Sequence, residues 1–117
     1  MDLYALRATI QRDDTFVSQH ALSEALADGL VIDEIWASLL DSMAEVIEDY
    51  PTDPRGSSCL LLSFVNQRPV HTVIAFPCKR YAANRQVQAI AFLVTIYRPD
   101  LRSHEWDASF RVRLPRP

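Results

Sequence analysis

Two hydrophobic periods divide this chain. Apolar residues recur at helical spacing up to Tyr50 and at strand spacing from Cys59 onward. Leu3, Leu6 and Ile10 predict a helix over residues 2–12, followed by a polar break at Asp13–Asp14. Ser18 reads as the N-cap of a second helix carrying Ala21, Leu22, Ala25 and Leu26, with Gly29 placed for a left-handed C-terminal cap. Ile32, Ile35, Trp36, Leu39, Leu40, Met43 and Ile47 predict a third helix that runs to Tyr50-Pro51. Beyond the loop 51–58, the pattern becomes extended. Cys59–Val65 and Pro69–Phe76 form a hairpin candidate about Asn66-Gln67, and 77–86 reads as a long basic loop. Val87–Tyr97 follows as a strand, and Ser109–Leu114 as a last one in which Phe110, Val112 and Leu114 alternate with Arg111 and Arg113. Helices first and strands second predict an α+β fold, with N-terminal helices packed on one face of a C-terminal antiparallel β-sheet.

The 117 residues fit one domain spanning 1–117, and 49% apolar content suffices for one core. The longest stretches without a charged residue, 56–67 and 86–97, are too short to span a bilayer as a helix. Asp2, Arg7, Arg12, Asp13 and Asp14 break any signal-peptide pattern, so no membrane contact and a cytoplasmic location are expected. Cys59 and Cys78 lack metal-ligand spacing, and Gly29 and Gly56 are the only glycines. A zinc finger, a phosphate-cradling loop and a dinucleotide fold are therefore excluded, and neither metal nor cofactor is expected.

The net charge of −3 conceals an asymmetry: residues 1–50 carry −9 and residues 51–117 carry +6. Eleven of the twelve basic residues are arginine, whose planar fork matches phosphate. Strand alternation gives this charge a direction. In the second strand Val70, Thr72, Ile74 and Phe76 should meet the helices, leaving His71, Val73 and Ala75 outside. In the third, Ile90, Phe92, Val94 and Ile96 are expected inside, with Ala91, Leu93, Thr95 and Tyr97 outside. Arg111 and Arg113 join the outer face. His71, Tyr97, Arg111 and Arg113 thus form a candidate catalytic set for RNA cleavage. Histidine exchanges protons near neutral pH, arginine stabilises the phosphate, and tyrosine stacks a base. His20 is a further candidate at the start of the second helix, and His104 lies in a loop that no periodicity places. Each also has an ordinary structural role available, as a hydrogen-bonded strand residue, a half-buried aromatic or a solvated edge charge. Trp106 is expected to anchor its loop in the core.

Phe16-Val17-Ser18-Gln19-His20-Ala21-Leu22, then "VIEDYP", "RPVHTVIAF", "VTIYRPD" and Trp106 with Arg111 and Arg113 follow in order. Over about residues 16–113, with the helix at 2–12 as an addition, the chain resembles the small bacterial family known as domain of unknown function 4258. The resemblance implies a RelE-like fold and a metal-independent endoribonuclease of the toxin class, with RNA and a protein antitoxin as partners. It carries over onto His20, His71, Tyr97, Arg98, Arg111 and Arg113, with Arg98 and Arg68 (the first residue of "RPVH") as substrate-binding residues. The alternative is a non-catalytic RNA- or protein-binding module that keeps the fold. The second helix favours it, because Glu24 and Asp28 would repel a phosphate backbone.

Overall fold

The computed structural model describes residues 1–54, 56–81 and 87–115. Helix α1 (Leu3–Gln11) opens the chain, capped by the Asp2 side chain, which accepts from the Ala5 amide. Strand β1 (Thr15–Val17) leads into α2 (Gln19–Ala27), and α3 (Ile32–Leu39) completes the helical layer. Strands β2 (Glu45–Tyr50), β3 (Ser58–Val65), β4 (Arg68–Tyr81) and β5 (Val87–Tyr97) follow, then a 3-10 turn over Pro99–Arg102. The five strands form one sheet in the order β1-β5-β4-β3-β2. The α+β arrangement is as expected, with one difference in the sheet: β1 runs parallel to β5, while the other pairs are antiparallel. Among the described residues no helix is long and apolar enough to cross a membrane.

The helices cover one sheet face. Leu6, Ile10, Ala21, Ala25, Ile35 and Leu39 pack there against Cys59 and Leu61 of β3, Val70 and Ile74 of β4, and Leu93 and Ile96 of β5. Ser18 caps α2 as expected, accepting from the Ala21 amide at 2.9 Å, and its hydroxyl also donates to the Val94 carbonyl at 2.8 Å. Gly29 takes its left-handed conformation (φ 67°) where the cap was expected. Asn66 and Gln67 both have positive φ, the geometry of the tight two-residue turn that joins β3 to β4.

Four expectations need correction. The third helix stops at Leu39, and Glu45–Tyr50 is edge strand β2. Residues four apart share a face in a strand as well as in a helix, so Met43 and Ile47 fit either period. The β-branched pair Val46-Ile47 favours the strand. Arg7 reinforces the stop by donating to the Leu39 carbonyl, one of the acceptors a helix end leaves open, and to the Asp41 carbonyl just beyond it. Next, 77–81 is not loop. Strand β4 continues to Tyr81, and Pro77 falls at the register shift between Ala75 and Cys78, where no ladder donor is needed. The rest of that expected loop, 82–86, lies outside the described residues.

The third correction concerns β5. Val73 pairs with Thr95 but Ile74 pairs with Leu93, so Val94 is an extra residue in the strand. Such a bulge inverts the facing of everything before it. Ile96 faces the helices and Tyr97 faces outward as expected, but Ala91 and Leu93 point inward. Phe92 and Val94 instead line a cavity on the outer face. Finally, Ser109–Leu114 is not a strand. The Asp107 carboxylate accepts from the Arg111 and Val112 amides and draws the chain into a turn, leaving one isolated bridge between Trp106 and Arg113.

Candidate functional site

The outer face is closed by the segment that follows β5. Trp106, 2% exposed, is driven into a small second core with Leu60 and Tyr97, flanked by Ile47, Val73 and Phe110. Beneath it lies His71, fully buried, its ring edge-on to Trp106 at 4.3 Å and to Tyr97 at 5.2 Å. Both ring nitrogens are engaged: Nε2 with the Phe110 carbonyl at 2.8 Å and Nδ1 with the Tyr97 hydroxyl at 3.1 Å. A carbonyl only accepts, so Nε2 carries the proton and Nδ1 accepts from Tyr97. Burial lowers the His71 pKa to about 4, with the Arg113 charge adding to the effect. The ring is neutral at physiological pH and pins the closing segment to the sheet. Burial likewise pushes the Tyr97 hydroxyl up to about 12, so it stays protonated as the donor.

Beside this plug opens a cleft of about 600 Å³, within the range of small-ligand sites. Its chemistry comes from Glu48 and Tyr50 of β2, Tyr97 of β5, and Arg102, His104, Glu105 and Arg113 of the closing segment. Arg113 donates to both Glu48 oxygens, at 2.8 and 3.0 Å, while its guanidinium lies over the Trp106 ring at 4.7 Å. Partial burial alone would raise the Glu48 pKa. The hydrogen bonds from Arg113 and Tyr50 outweigh it and hold the carboxyl below its ordinary value, so Glu48 is ionised at neutral pH. The Arg102 guanidinium stacks over Tyr97, 4.4 Å from the ring centre. His104 is well exposed at the mouth, near Glu105.

Of the residues expected from sequence, Tyr97 and Arg113 line this cleft, and His71 supports it from below. Arg111 lies on the same side but outside the lining, paired with Glu45. Arg98 turns the other way: 9% exposed, it donates from Nε to the Asp28 carbonyl at 2.9 Å, binding β5 to the C-terminus of α2. Arg68 pairs with Asp100 at 3.0 Å and does not line the cleft. His20 is exposed on α2 and pairs with Glu24 at 3.1 Å, one turn along the helix. Glu48, Tyr50 and Arg102 were not anticipated. The first two were hidden by the helical reading of 32–50. Arg102 carried no strand periodicity, although Pro99 marks the start of its turn.

A family profile described as "Domain of unknown function (DUF4258)" matches residues 17–98, from the end of β1 to the residue after β5. No curated protein and no solved structure matches the chain.

Proposed function

Starting from the chain's membership of the family described as domain of unknown function (DUF4258), we propose that it is a RelE-like, metal-independent endoribonuclease acting on RNA in the cytoplasm. One observation carries this reading. A single cleft gathers the ionised Glu48 and a second carboxylate, Glu105, with an exposed imidazole, two guanidiniums and the face of a tyrosine. RNA cleavage needs that inventory. Glu48 takes the proton of a ribose 2′-hydroxyl, whose oxygen attacks the adjacent phosphorus. The bond from phosphorus to the 5′-oxygen breaks, and His104 gives that oxygen a proton. The products are a 2′,3′-cyclic phosphate and a 5′-hydroxyl. Arg102 and Arg113 offset the charge that builds on the phosphate. In this assignment His71 is a positioning residue. It holds Tyr97 and the closing segment, and its buried ring has no nitrogen left for substrate.

The test is incubation of purified protein with single-stranded RNA in the presence of a chelator. Cleavage is expected to leave 2′,3′-cyclic phosphate ends, and Glu48→Gln and His104→Ala should each slow it by about 10²–10⁴-fold. A 2′-deoxy substitution at the scissile position should block it. RNA left intact by the wild-type protein overturns the reading. A toxin of this class is restrained by a protein antitoxin, so expression should arrest bacterial growth and Glu48→Gln should relieve the arrest.

A second reading, the non-catalytic binding module, is favoured by the pairing of Arg111 with Glu45 and of Arg113 with Glu48, which neutralises much of the positive charge. It is distinguished by RNA binding that falls steeply with salt and is unaccompanied by cleavage.

A further inference from the structure

A second depression adjoins the cleft on the outer face. It has a volume of about 190 Å³, with Val73, Ala75, Phe92 and Val94 as apolar walls and Ser58 and Asp53 among its polar lining. Val73 lines both, so the charged cleft and the apolar depression are contiguous. Alongside, Phe16 of β1 pairs in register with Phe92 of β5, and the two rings stack at 5.8 Å and 13°. Val17 packs into the helix-side core, so Phe16, its neighbour in the strand, points to the outer face, where it remains 43% exposed. The extra residue at Val94 creates this arrangement, because it turns Phe92 away from the helices.

We propose that the Phe16–Phe92 pair and the adjoining depression form a nucleobase subsite of a single-stranded RNA whose phosphate occupies the Arg102–Arg113 cleft. The subsite rests on the RNA-directed reading given above and extends it by fixing the side to which the strand continues. The occupant follows from the lining. Its described lining is mostly apolar, and the Ser58 hydroxyl is committed to the Asp53 carboxylate by a 3.0 Å hydrogen bond. Flat apolar walls beside the exposed Phe16 ring and the half-buried Phe92 ring suit an unpaired, unstacked base, for which aromatic stacking is tolerant of sequence.

The experiment measures binding of a labelled six-nucleotide single strand whose 2′-deoxy sugars prevent cleavage, beside a duplicate lacking its bases, and scores ribose-strand cleavage in parallel. Phe16→Ala should weaken binding of the base-bearing strand about tenfold or more. It should leave the weaker binding of the abasic strand unchanged, and Phe16→Trp should restore binding. Phe16 is exposed, so the substitutions spare the core, and an unchanged unfolding midpoint confirms that. Equal binding by wild type and Phe16→Ala overturns the subsite, as does equal affinity for the base-bearing and abasic strands. A change in self-association without a change in RNA binding also overturns it and identifies the face as a contact between copies. In each of these cases persisting RNA cleavage leaves the ribonuclease reading standing, whereas loss of both binding and cleavage in the wild type removes both.

Discussion

The two faces of the sheet are closed by different physics. On the helix side, Leu61, Val70, Ile74, Leu93 and Ile96 meet aliphatic helix residues, and burial of apolar area drives the contact. On the outer side, a segment with little regular structure is held by one buried imidazole, one indole and the ion pairs of Arg111 and Arg113 with β2. Aliphatic packing is non-directional and indifferent to pH. The outer closure depends on donors, acceptors and charges, so it answers to proton and salt concentration. The layer that carries the candidate site is therefore the conditional one.

The largest expected effect lies on the helix side. Leu61→Ala should cost about 4 kcal/mol of unfolding free energy by the loss of buried side-chain volume, with the same loss at pH 5 and pH 7. A strongly pH-dependent loss would erase the contrast between the faces. Next comes His71. Its folded pKa of about 4 lies below the ordinary value of 6.5, so the unfolded chain takes up the proton first as pH falls. The stabilisation is complete above about pH 6.5 and drains away between 6.5 and 4, amounting to roughly 3 kcal/mol. Urea unfolding across that range should trace this slope, and His71→Phe should flatten it. A flat wild-type profile would contradict the neutral, doubly hydrogen-bonded ring.

Ser18→Ala tests the joint between the layers. It removes the α2 cap and the bond to the Val94 carbonyl together, and should cost about 1–2 kcal/mol by thermal or chemical unfolding. The smallest change is expected from Arg111→Gln. Its pair with Glu45 is partly exposed, so stability should fall by less than about 1 kcal/mol, and the difference should vanish in concentrated salt. A larger, salt-insensitive loss would mean that the outer closure is as rigid as the helix side.

The parts of the fold legible in the sequence are those that local chemistry decides. Ser18 and Gly29 bound α2, Asn66-Gln67 sets a hairpin, and Val70 to Ile74 alternate cleanly with His71 and Val73 on the other side. What escaped depends on partners far along the chain. Glu45–Tyr50 becomes a strand because β3 offers it an edge, and Thr15–Val17 is too short to signal itself without β5 beside it. The site divides the same way. Alternation correctly grouped His71 with Tyr97, but it does not show that Trp106 would seal the histidine from solvent. Nor does it show that Glu48 and Arg113, 65 residues apart, would meet.

The extra residue at Val94 bears on which genetic changes this chain can absorb. Substitutions in β5 are judged position by position, but a one-residue deletion there would act on the whole strand at once. Removing Val94 would send Phe92 toward the helices and Leu93 toward solvent, separating Phe92 from Phe16 without altering either. Descendants of such a chain should therefore hold the count of residues between Phe92 and Tyr97 fixed, while residue 94 varies among apolar side chains that keep the wall of the depression. An engineered library that keeps this count should yield folded variants far more often than one that changes it by one.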